Sequence, residues 1–556
     1  MRLVGTVAFG LIAGCSLPSI IERAHAQATQ SAEQPFVPGE LIVGYESDQA
    51  RREAMQKAGT ASDSVQLRGE RPAGVQVEEL GETALIFHIE FPDSIKQATR
   101  GNPASELALL RELGARMKQS DSRIKYAHPN WLTGINPPPS GADAGLKPQS
   151  FSPPVQSKPP SNGPNDPMFG QQWHYEAPPT GMNAVGAWST THGDRSIVVA
   201  VLDSGIVADH EDIKGSGNLA PGYNFVSYDG CTKQKVNRSG DPTDPGDNCD
   251  PQKSDWHGTH VAGMIGAAGS NNGLGIAAIA WNVTVVPVRV IGHNGSGTNA
   301  DLAAGIEWAS GHDVAGVPKN QHPADVINMS LGGPLPCTEE DAGDIIAAIN
   351  DARKAGTVVV VAAGNGAWQD PDQKSCDPAT ATNCTHVQED VKGTTPGGCP
   401  GVISVAASDR DGKLAYYSNF GNVTLMAPGG DTRNYRGTDG KTIVDSGLKD
   451  GVWSTVKGSY GALQGTSQAT PHVTGAIALA LSVHPDWRHN PDLVEAKLKA
   501  TSVNPPTGAC PADKPCGAGQ LDAARLLAAT RSPFDPPPVA TSAVPKFLQL
   551  PNLLQP

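Results

Sequence analysis

The stretch that decides the fold reads Gly465-Thr466-Ser467-Gln468-Ala469-Thr470-Pro471-His472-Val473. Small residues continue beyond it, which favours a tightly packed helix that begins beside the serine. A serine hydroxyl becomes a nucleophile only when a base removes its proton and hydrogen-bond donors stabilise the resulting oxyanion. The free backbone N–H groups at a helix N-terminus supply part of that stabilisation. Ser467 is therefore a candidate nucleophile, although a serine in this position can also be a simple helix cap.

A buried strand and a histidine lie upstream. Residues 197–202 form a short apolar run rich in β-branched residues, and the run delivers Asp203 at its carboxyl end. Open α/β sheets place their active sites at that edge, and a partly desolvated aspartate there needs a hydrogen-bonding partner. We expect the partner to be His257. It would take the proton from Ser467 while Asp203 holds its imidazole ring in the productive tautomer.

The three candidates occur in the order Asp203, His257 and Ser467, with the flanks Asp-Ser-Gly-Ile, His-Gly-Thr-His-Val-Ala-Gly and Gly-Thr-Ser-x-Ala-x-Pro-His-Val. This order and these motifs resemble the subtilisin-like serine proteases, or subtilases, over roughly residues 165–530. A fourth motif, Val-Val-Val-Ala-Ala-Gly-Asn, ends at Asn365. The resemblance implies a catalytic triad of Asp203, His257 and Ser467, with Asn365 as an oxyanion donor and His260 as a structural residue.

Each of these residues also has an ordinary structural interpretation when taken alone. A strand-end aspartate often caps a turn, and a histidine near a helix start is often a packed or capping residue. Asn365 follows a glycine and would by default be a turn residue. The four residues in this order and with these flanks favour the catalytic interpretation.

Buried strands alternate with helices from about residue 165 onward, which predicts a parallel sheet with right-handed crossovers. The expected strands lie near 197–202, 283–288, 325–329, 357–362 and 402–406, and helices are expected at 301–309 and 341–355. The predicted fold class is α/β, with a subtilisin-like parallel sheet flanked by helices in a peptidase domain over residues 165–530. A small α+β domain precedes it.

That preceding region begins with features of a signal peptide at residues 1–26, where Ala24-His25-Ala26 resembles a cleavage site. Secretion to the extracellular space or periplasm is the expected consequence. A competing interpretation is a bacterial lipobox at Ile12-Ala13-Gly14-Cys15, which would tether the protein through an acylated Cys15.

Residues 27–136 are interpreted as a propeptide with strands at 40–45 and 84–89, a helix at 104–118 and a closing strand at 124–130. The subtilase resemblance implies a folding helper and inhibitor whose end occupies the cleft; an unrelated binding module is the alternative. Residues 137–164 are rich in Pro and Ser and are predicted to be a linker. Residues 531–556 form a Pro-rich tail.

The formal net charge of −14 argues against nucleic acid as a partner. Eight cysteines remain after Cys15, and an even number in an exported chain suggests disulfides. Proximity along the chain favours the pairs Cys231–Cys249, Cys510–Cys516, Cys376–Cys384 and, for the remaining two, Cys337–Cys399. Spacing leaves other pairings possible.

Two segments are candidates for binding the substrate. The subtilase resemblance implies that Ser330-Leu331-Gly332 pairs with the substrate backbone as an added strand. It also implies that this segment and Ala362-Ala363-Gly364 form the two walls of the pocket for the residue before the cut. Both walls are small and uncharged, which favours a sizeable apolar side chain in that pocket.

Calcium is the expected cofactor, in a structural role, and no catalytic cofactor is expected. Four aspartates lie in or near one acidic loop: Asp229, Asp241, Asp244 and Asp247. Spaced carboxylates are ligands that calcium prefers, and some secreted subtilases hold calcium in a similar loop, with one more aspartate where this chain has Ser239. A solvated acidic turn is the alternative. The segment Asn271–Leu274 resembles a further calcium loop of the family, with no ligands assigned.

The sequence thus predicts a secreted, monomeric serine endopeptidase that acts on proteins and peptides and is inhibited by its own propeptide. A peptide ligase on the same fold is an alternative because an amine can capture an acyl-enzyme, but no feature of the sequence indicates the exclusion of water that a ligase needs. A binding protein on a protease scaffold is the non-enzymatic alternative. An intact triad argues against it.

Overall fold

The structure is a computed structural model that describes residues 35–58, 74–99, 102–135, 163–369, 385–432, 435–436, 443–445, 448–530, 532 and 535–536. Several sequence predictions lie outside these residues. They are the signal peptide with Cys15, almost all of the linker and the tail, and the Cys376–Cys384 pair.

The strands, numbered in chain order, are β1 Phe36–Tyr45, β2 Gly74–Leu80, β3 Ala84–Glu90, β4 Ile124–Gly134, β5 Val198–Asp203, β6 Tyr223–Asn224, β7 Tyr228–Asp229, β8 Gln234–Lys235, β9 Thr284–Arg289, β10 Ser296–Thr298, β11 Val326–Met329, β12 Val358–Ala362, β13 Ala367–Gln369, β14 Thr385–Val387, β15 Ile403–Ser408, β16 Leu425–Pro428, β17 Tyr435–Arg436, β18 Ile443–Asp445, β19 Val452–Val456 and β20 Ser459–Leu463.

The α-helices are α1 Asp48–Ala58, α2 Asp93–Thr99, α3 Pro103–Ser120, α4 Ala184–Trp188, α5 Glu211–Lys214, α6 His257–Ala262, α7 Asn299–Ala309, α8 Glu339–Lys354, α9 Thr466–Val483, α10 Pro491–Thr501 and α11 Ala523–Leu527. A π-helical turn, Gly263–Ala267, continues α6. The short 3₁₀ turns are Phe169–Gln171, Trp173–Tyr175, Pro251–Lys253, Val391–Gly393, Leu448–Asp450 and Pro485–Trp487.

A parallel sheet in the order β16-β15-β12-β11-β5-β9-β6 forms the centre of the peptidase domain. Successive side chains of a strand point to opposite faces of the sheet, and both faces of this sheet are buried. Val199 and Val201 of β5 join the apolar core on one face, and Ala200 and Leu202 join the core on the other. The predicted fold class and the five predicted sheet strands are confirmed. The sequence did not reveal the edge strands β6 and β16.

Three neighbouring strands of this sheet carry the candidate site residues. In the register of the sheet, Met329 of β11 lies opposite Leu202 of β5 and Val361 of β12. Parallel strands end at the same edge, so Asp203, Ser330 and the segment that follows Ala362 lie close together. The predicted helix beginning beside Ser467 is α9.

The N-terminal domain is a four-stranded antiparallel sheet in the order β4-β1-β3-β2, covered by α1 and α3. Strand β10 of the peptidase domain extends this sheet by pairing antiparallel with β4. The predicted α+β character and the closing strand agree with the structure. Strand β2 and helices α1 and α2 were not predicted from the sequence.

Buried charges lie where this domain meets α7 and α8 of the peptidase domain. His128 Nε2 lies 3.4 Å from Asp344 Oδ1, and both side chains are only 1% exposed. Arg111 pairs with Asp341 at 3.2 Å. The interface therefore combines these charged pairs with an apolar cluster that includes Ile42, Ile86 and Tyr126 of the N-terminal domain.

Disulfides join Cys231 to Cys249, Cys337 to Cys399 and Cys510 to Cys516. These are the pairs expected from the sequence within the described residues.

Candidate active site

Asp203 and His257 meet in the interior of the peptidase domain. Asp203 ends β5 and His257 begins α6, and His257 Nδ1 lies 2.9 Å from Asp203 Oδ1. The same oxygen accepts a hydrogen bond of 2.8 Å from the backbone N–H of Ser204. Asp203 is completely buried and His257 is 4% exposed, so solvent does not compete for this bond. The carboxylate fixes both the orientation of the ring and the position of the proton on Nδ1.

Acidic side chains surround His257. Burial opposes a positive charge on the ring, but the carboxylates of Asp203, Asp247 and Asp255 outweigh it and raise the pKa of His257 above its ordinary value. His260, one turn further on, differs: burial and the nearby His257 lower its pKa to about 3. Its Nε2 faces the carbonyl oxygens of Val452 and Gly461 at 3.1 and 3.2 Å. This neutral, buried ring agrees with the structural role expected for His260.

Ser467 lies in the first turn of α9 and is 5% exposed. Its Oγ donates a hydrogen bond of 3.0 Å to the carbonyl oxygen of Ser330. Within the described residues no hydrogen bond joins Ser467 Oγ to His257. Catalytic hydrogen bonds are often long in structures without substrate and tighten when substrate binds.

Ser467 is held by a chain of polar contacts that was not predicted from the sequence. The hydroxyl of Ser330 donates to the carbonyl oxygen of Ser467 at 2.8 Å, so the two serines bind each other reciprocally. Asn328 of β11 donates to the Ser330 hydroxyl, and Thr474 of α9 donates to the Asn328 side chain. Buried polar groups of this kind keep their partners because an unpaired one is costly. The network fixes the start of α9 against the end of β11.

Asn365 lies directly beside the nucleophile turn. Its Oδ1 accepts hydrogen bonds of 2.9 Å from both the backbone N–H and the hydroxyl of Thr466. The backbone N–H of Gly364 donates to the same hydroxyl. Because one end of the Asn365 amide is used to bind Thr466, the NH₂ end is oriented by the fold. That arrangement is what an oxyanion donor needs.

A strand of the N-terminal domain runs between the Gly332 segment, which the sequence predicts to bind substrate, and the segment Gly295–Thr298. Leu132 and Gly134 pair antiparallel with β10, and Gly134 exchanges backbone hydrogen bonds of 3.2 and 2.9 Å with Gly332. The backbone N–H of Ile135 donates to the carbonyl oxygen of Gly295. A Cβ atom on Gly134 would lie 2.6 Å from that oxygen, so only glycine fits here. The sequence indicated the segment that contains Gly332 as a site of strand pairing, but nothing in it indicated the opposite segment, Gly295–Thr298.

The two predicted pocket walls are joined by a loop, residues 394–398. Thr395 exchanges backbone hydrogen bonds with Gly333, just beyond the first wall. A Cβ atom on Gly397 would lie 2.5 Å from the carbonyl oxygen of Ala362 in the second wall. The loop therefore contacts both predicted walls, which the sequence did not reveal.

The four carboxylates of the acidic loop do not converge on one point. Asp241 binds Thr243, and Asp229 binds the segment Cys231–Thr232. Asp244 and Asp247 accept hydrogen bonds from helix α6. In the described chain the only cluster with metal-ligand spacing is Asp229, Cys231 and His293, and Cys231 is part of a disulfide.

A second group of carboxylates was not singled out in the sequence. Asp212 is buried beside the segment Asn271–Leu274 and accepts from the Asn272 amide and the Ile276 N–H. Asp166 accepts from the backbone N–H groups of Asn271 and Asn272. Burial raises the pKa of Asp212 to about 7, and it raises that of Asp166 as well.

A family model described as the subtilase family matches residues 194–519. The chain belongs to the subtilase family. A second model, described as the fervidolysin N-terminal prodomain, matches residues 22–79. The interpretation of the N-terminal domain as a propeptide agrees with this match.

Several extracellular proteases are similar to the chain. The Extracellular protease of Xanthomonas campestris pv. campestris is 38% identical over 370 residues, which is 65% of this chain and 56% of that protein. The Extracellular basic protease of Dichelobacter nodosus is 37% identical over 337 residues, 58% of this chain and 49% of that protein. The chain thus spans about half the length of these curated relatives.

A solved structure described as proteases from Pseudoalteromonas arctica PAMC 21717 is 40% identical with a TM-score of 0.54. The match covers 66% of this chain and 99% of the solved chain. Among the described residues, no helix has both the length and the apolar character needed to cross a membrane.

Proposed function

We propose that the protein is a secreted serine endopeptidase that hydrolyses peptide bonds through an acyl-enzyme on Ser467. One observation carries the proposal: a buried hydrogen bond of 2.9 Å joins His257 Nδ1 to Asp203 Oδ1, and the helix that begins at His257 contacts the helix whose first turn holds Ser467. Membership of the subtilase family and the similarity to extracellular proteases support it.

The proposed reaction begins when Ser467 Oγ attacks the scissile carbonyl carbon and its proton passes to His257 Nε2. Asp203 stabilises the resulting imidazolium. The Asn365 NH₂ group and the backbone N–H of Ser467 donate to the oxyanion. His257 then protonates the leaving amine, and an acyl-enzyme remains. Water, deprotonated by His257, hydrolyses the acyl-enzyme and restores the Ser467 hydroxyl.

The proposed substrate is an extended peptide that enters as a strand between Gly332 and Gly295. The position of Leu132–Ile135 supports this, because that segment already occupies the space between the two edges through backbone hydrogen bonds. Recognition through the backbone places little demand on side chains. The small, uncharged walls around Ala362 and Gly364 favour an apolar residue before the cut.

The same contacts support the proposal that the N-terminal domain is an inhibitor of the enzyme to which it is attached. A segment held in the cleft by strand pairing excludes substrate until it is removed. Because the relatives are named extracellular proteases, we propose secretion with removal of the signal peptide and then of the propeptide.

Calcium is proposed as a structural ligand near Asp212 rather than at the acidic loop. Asp212 and Asp166 are buried, and their carboxylate oxygens are hard ligands of the kind that calcium prefers. Neither carboxylate has an ion-pair partner among the described residues. A cation would offset the cost of ionising them. Asp212→Asn should therefore remove most of the rise in unfolding temperature that calcium produces. If Asp241→Asn removes that rise and Asp212→Asn does not, the site belongs to the acidic loop.

The main test is labelling with a fluorophosphonate followed by peptide mapping, on wild type and on Ser467→Ala. Wild type should be labelled at Ser467, and the alanine variant should fold, remain unlabelled and stay attached to its propeptide. Peptide hydrolysis should fall by about 10⁶, the loss that removal of the serine causes in subtilisin.

Ser482→Ala is the matched control, since Ser482 lies near the other end of the same helix, where its hydroxyl binds the Leu479 carbonyl oxygen and the Thr191 hydroxyl. It should behave like wild type. Hydrolysis by Ser467→Ala within tenfold of the wild-type rate would overturn the proposal.

A further inference from the structure

We propose that Asp247 is a positioning residue for the catalytic histidine, and that its carboxylate fixes the main chain of His257 so that the imidazole meets Asp203. This inference rests on the proposed function. The acidic loop that the sequence marks as a calcium site then has a different task, because it forms the N-terminal cap of helix α6.

The contacts of Asp247 bracket the residue before His257. Asp247 Oδ2 accepts from the backbone N–H of His257 at 2.9 Å, and Oδ1 accepts from the backbone N–H of Asp255 at 2.8 Å. The Ser254 hydroxyl donates to Oδ1 at 2.7 Å, which orients the carboxylate. One side chain thereby closes the loop that leads into the catalytic histidine.

The bracketed residue is Trp256, whose backbone is left-handed, with φ of 55°. A bulky residue rarely adopts that conformation, which persists only where neighbouring groups hold it. The Trp256 ring packs with Val207 and Val456, and Lys457 Nζ lies 4.5 Å from its centroid. Those contacts hold the ring. Asp247 holds the peptide groups on both sides, and this turn determines where His257 points.

The following N–H groups of α6 are also bound by side chains from outside the helix. Gly258 N–H donates to Ser204 Oγ at 2.9 Å, directly beside Asp203. Thr259 donates to Asp244 Oδ2 through its hydroxyl at 2.7 Å and its N–H at 3.3 Å. A short helix whose first donors are all bound cannot rotate without breaking them. The helix is therefore fixed between the end of β5 and the acidic loop.

Asp247 also touches the substrate-binding edge, but only through its main chain. A Cβ atom on Gly295 would lie 2.9 Å from the Asp247 carbonyl oxygen, so the two backbones are in contact. Replacing the carboxylate leaves that contact in place. Loss of the side chain should therefore lower kcat while KM stays the same, whereas general damage to the loop would change both.

The experiment compares Asp247→Asn and Asp247→Ala with Asp250→Asn in the full chain after maturation. Asp250 lies in the same loop but is exposed; it accepts from the Gln252 N–H and pairs with Lys253, and neither contact involves α6. Rates are referred to active sites titrated with a fluorophosphonate. We expect kcat to fall about tenfold in Asp247→Asn and about a hundredfold in Asp247→Ala, with KM within twofold of wild type. The rate of fluorophosphonate labelling should fall in parallel, and Asp250→Asn should match wild type.

A folded Asp247→Asn enzyme with kcat within twofold of wild type would overturn the inference. So would a wild-type enzyme whose kcat falls to the variant's level in chelator, since the loop would then act through a metal. If neither variant at 247 folds, Ser254→Ala removes the hydroxyl that orients the carboxylate and that also accepts from the Asp247 backbone N–H. It should lower kcat about threefold, and an unchanged kcat would again refute the role. Failure of wild type to label at Ser467 would instead refute the proposed function.

Discussion

The catalytic edge of the sheet and the face that meets the propeptide both bury aspartates, but they supply the partners differently. Asp203 receives its hydrogen bonds from Ser204 and His257, which belong to its own domain. Asp344 and Asp341 are paired with His128 and Arg111, which belong to the propeptide. The first arrangement is permanent. The second lasts only as long as the propeptide stays in place.

The difference extends to other carboxylates on the propeptide-facing side. Glu307 of α7 is buried near the turn at Gly81, and burial together with Asp351 raises its pKa to about 8. Glu40 of the propeptide is bound by Lys235 of the peptidase domain at 3.1 Å. Removal of the propeptide would hydrate these groups and separate their pairs. The interface is therefore sensitive to pH, whereas the catalytic edge depends on fixed geometry.

The largest effect should come from breaking the catalytic edge at Asn365. Asn365→Ala removes one oxyanion donor, and removal of the comparable donor in subtilisin lowers kcat by about 10²–10³. The Asn365 oxygen also binds Thr466, so the variant is first checked for folding, and inhibition by the propeptide is measured beside kcat. Steady-state kinetics and propeptide inhibition measured on the same preparation check this. A kcat within threefold of wild type would remove Asn365 from the site.

The sequence predicted those residues of the catalytic edge whose position depends on their neighbours in the sequence. Asp203 follows a strand, Ser467 begins a helix, and each motif carries its own turn residues, as with Gly205 at φ of 107°. The core strands were equally predictable, because a short apolar run rich in β-branched residues is typical of a strand buried on both faces.

What the sequence did not reveal depends on contacts between distant segments. Gly295 and Asp247 come together through the folding of a long insertion, and no local pattern marks the approach of their backbones. The carboxylates of Asp244 and Asp247 have the composition of a calcium loop, but they face the N–H groups of α6. Which donor a carboxylate meets is decided by tertiary packing. The same limit hid the pairing of His128 with Asp344.

An intermediate effect should come from pH acting on the propeptide face. Burial opposes protonation of His128, but Asp344 and then Asp341 outweigh it and raise the pKa of His128 in the complex. When binding raises the pKa of a histidine above its free value of about 6.5, the complex gains its full stabilisation below that pH. The stabilisation is lost as the pH rises through the pKa of the histidine in the complex.

Inhibition of the mature enzyme by its propeptide should therefore weaken as the pH rises above about 6.5, because His128 then loses the charge that pairs with Asp344. Asp344→Asn should weaken inhibition at pH 6.5 and flatten the profile, because His128 then lacks its carboxylate. His484→Gln is the control, since His484 binds the Leu527 carbonyl away from the interface. Inhibition that strengthens with rising pH would contradict the charge-based account of this face.

The smallest effect concerns Gln468, which follows the nucleophile where subtilases commonly carry methionine. Its side chain is 1% exposed, and its carbonyl oxygen accepts from His472 Nδ1 at 2.7 Å. A methionine here would become, on oxidation, a bulkier polar sulfoxide against the oxyanion site. Met264, Met329 and Met426 are completely buried in apolar clusters of the same domain, whereas residue 468 directly follows Ser467, at the place that substrate must reach.

We therefore expect slow inactivation of wild type by millimolar peroxide, and faster inactivation of Gln468→Met, which should stay active before oxidation. The initial kcat of the two should differ by no more than a few-fold, since the substitution leaves the backbone bond to His472 intact. A time course of residual activity under one oxidant, with peptide mapping of the oxidised methionine, checks the prediction. Equally fast loss in both proteins would mean that a buried methionine or the fold itself is attacked first, and the catalytic edge would then be less well protected than its burial indicates.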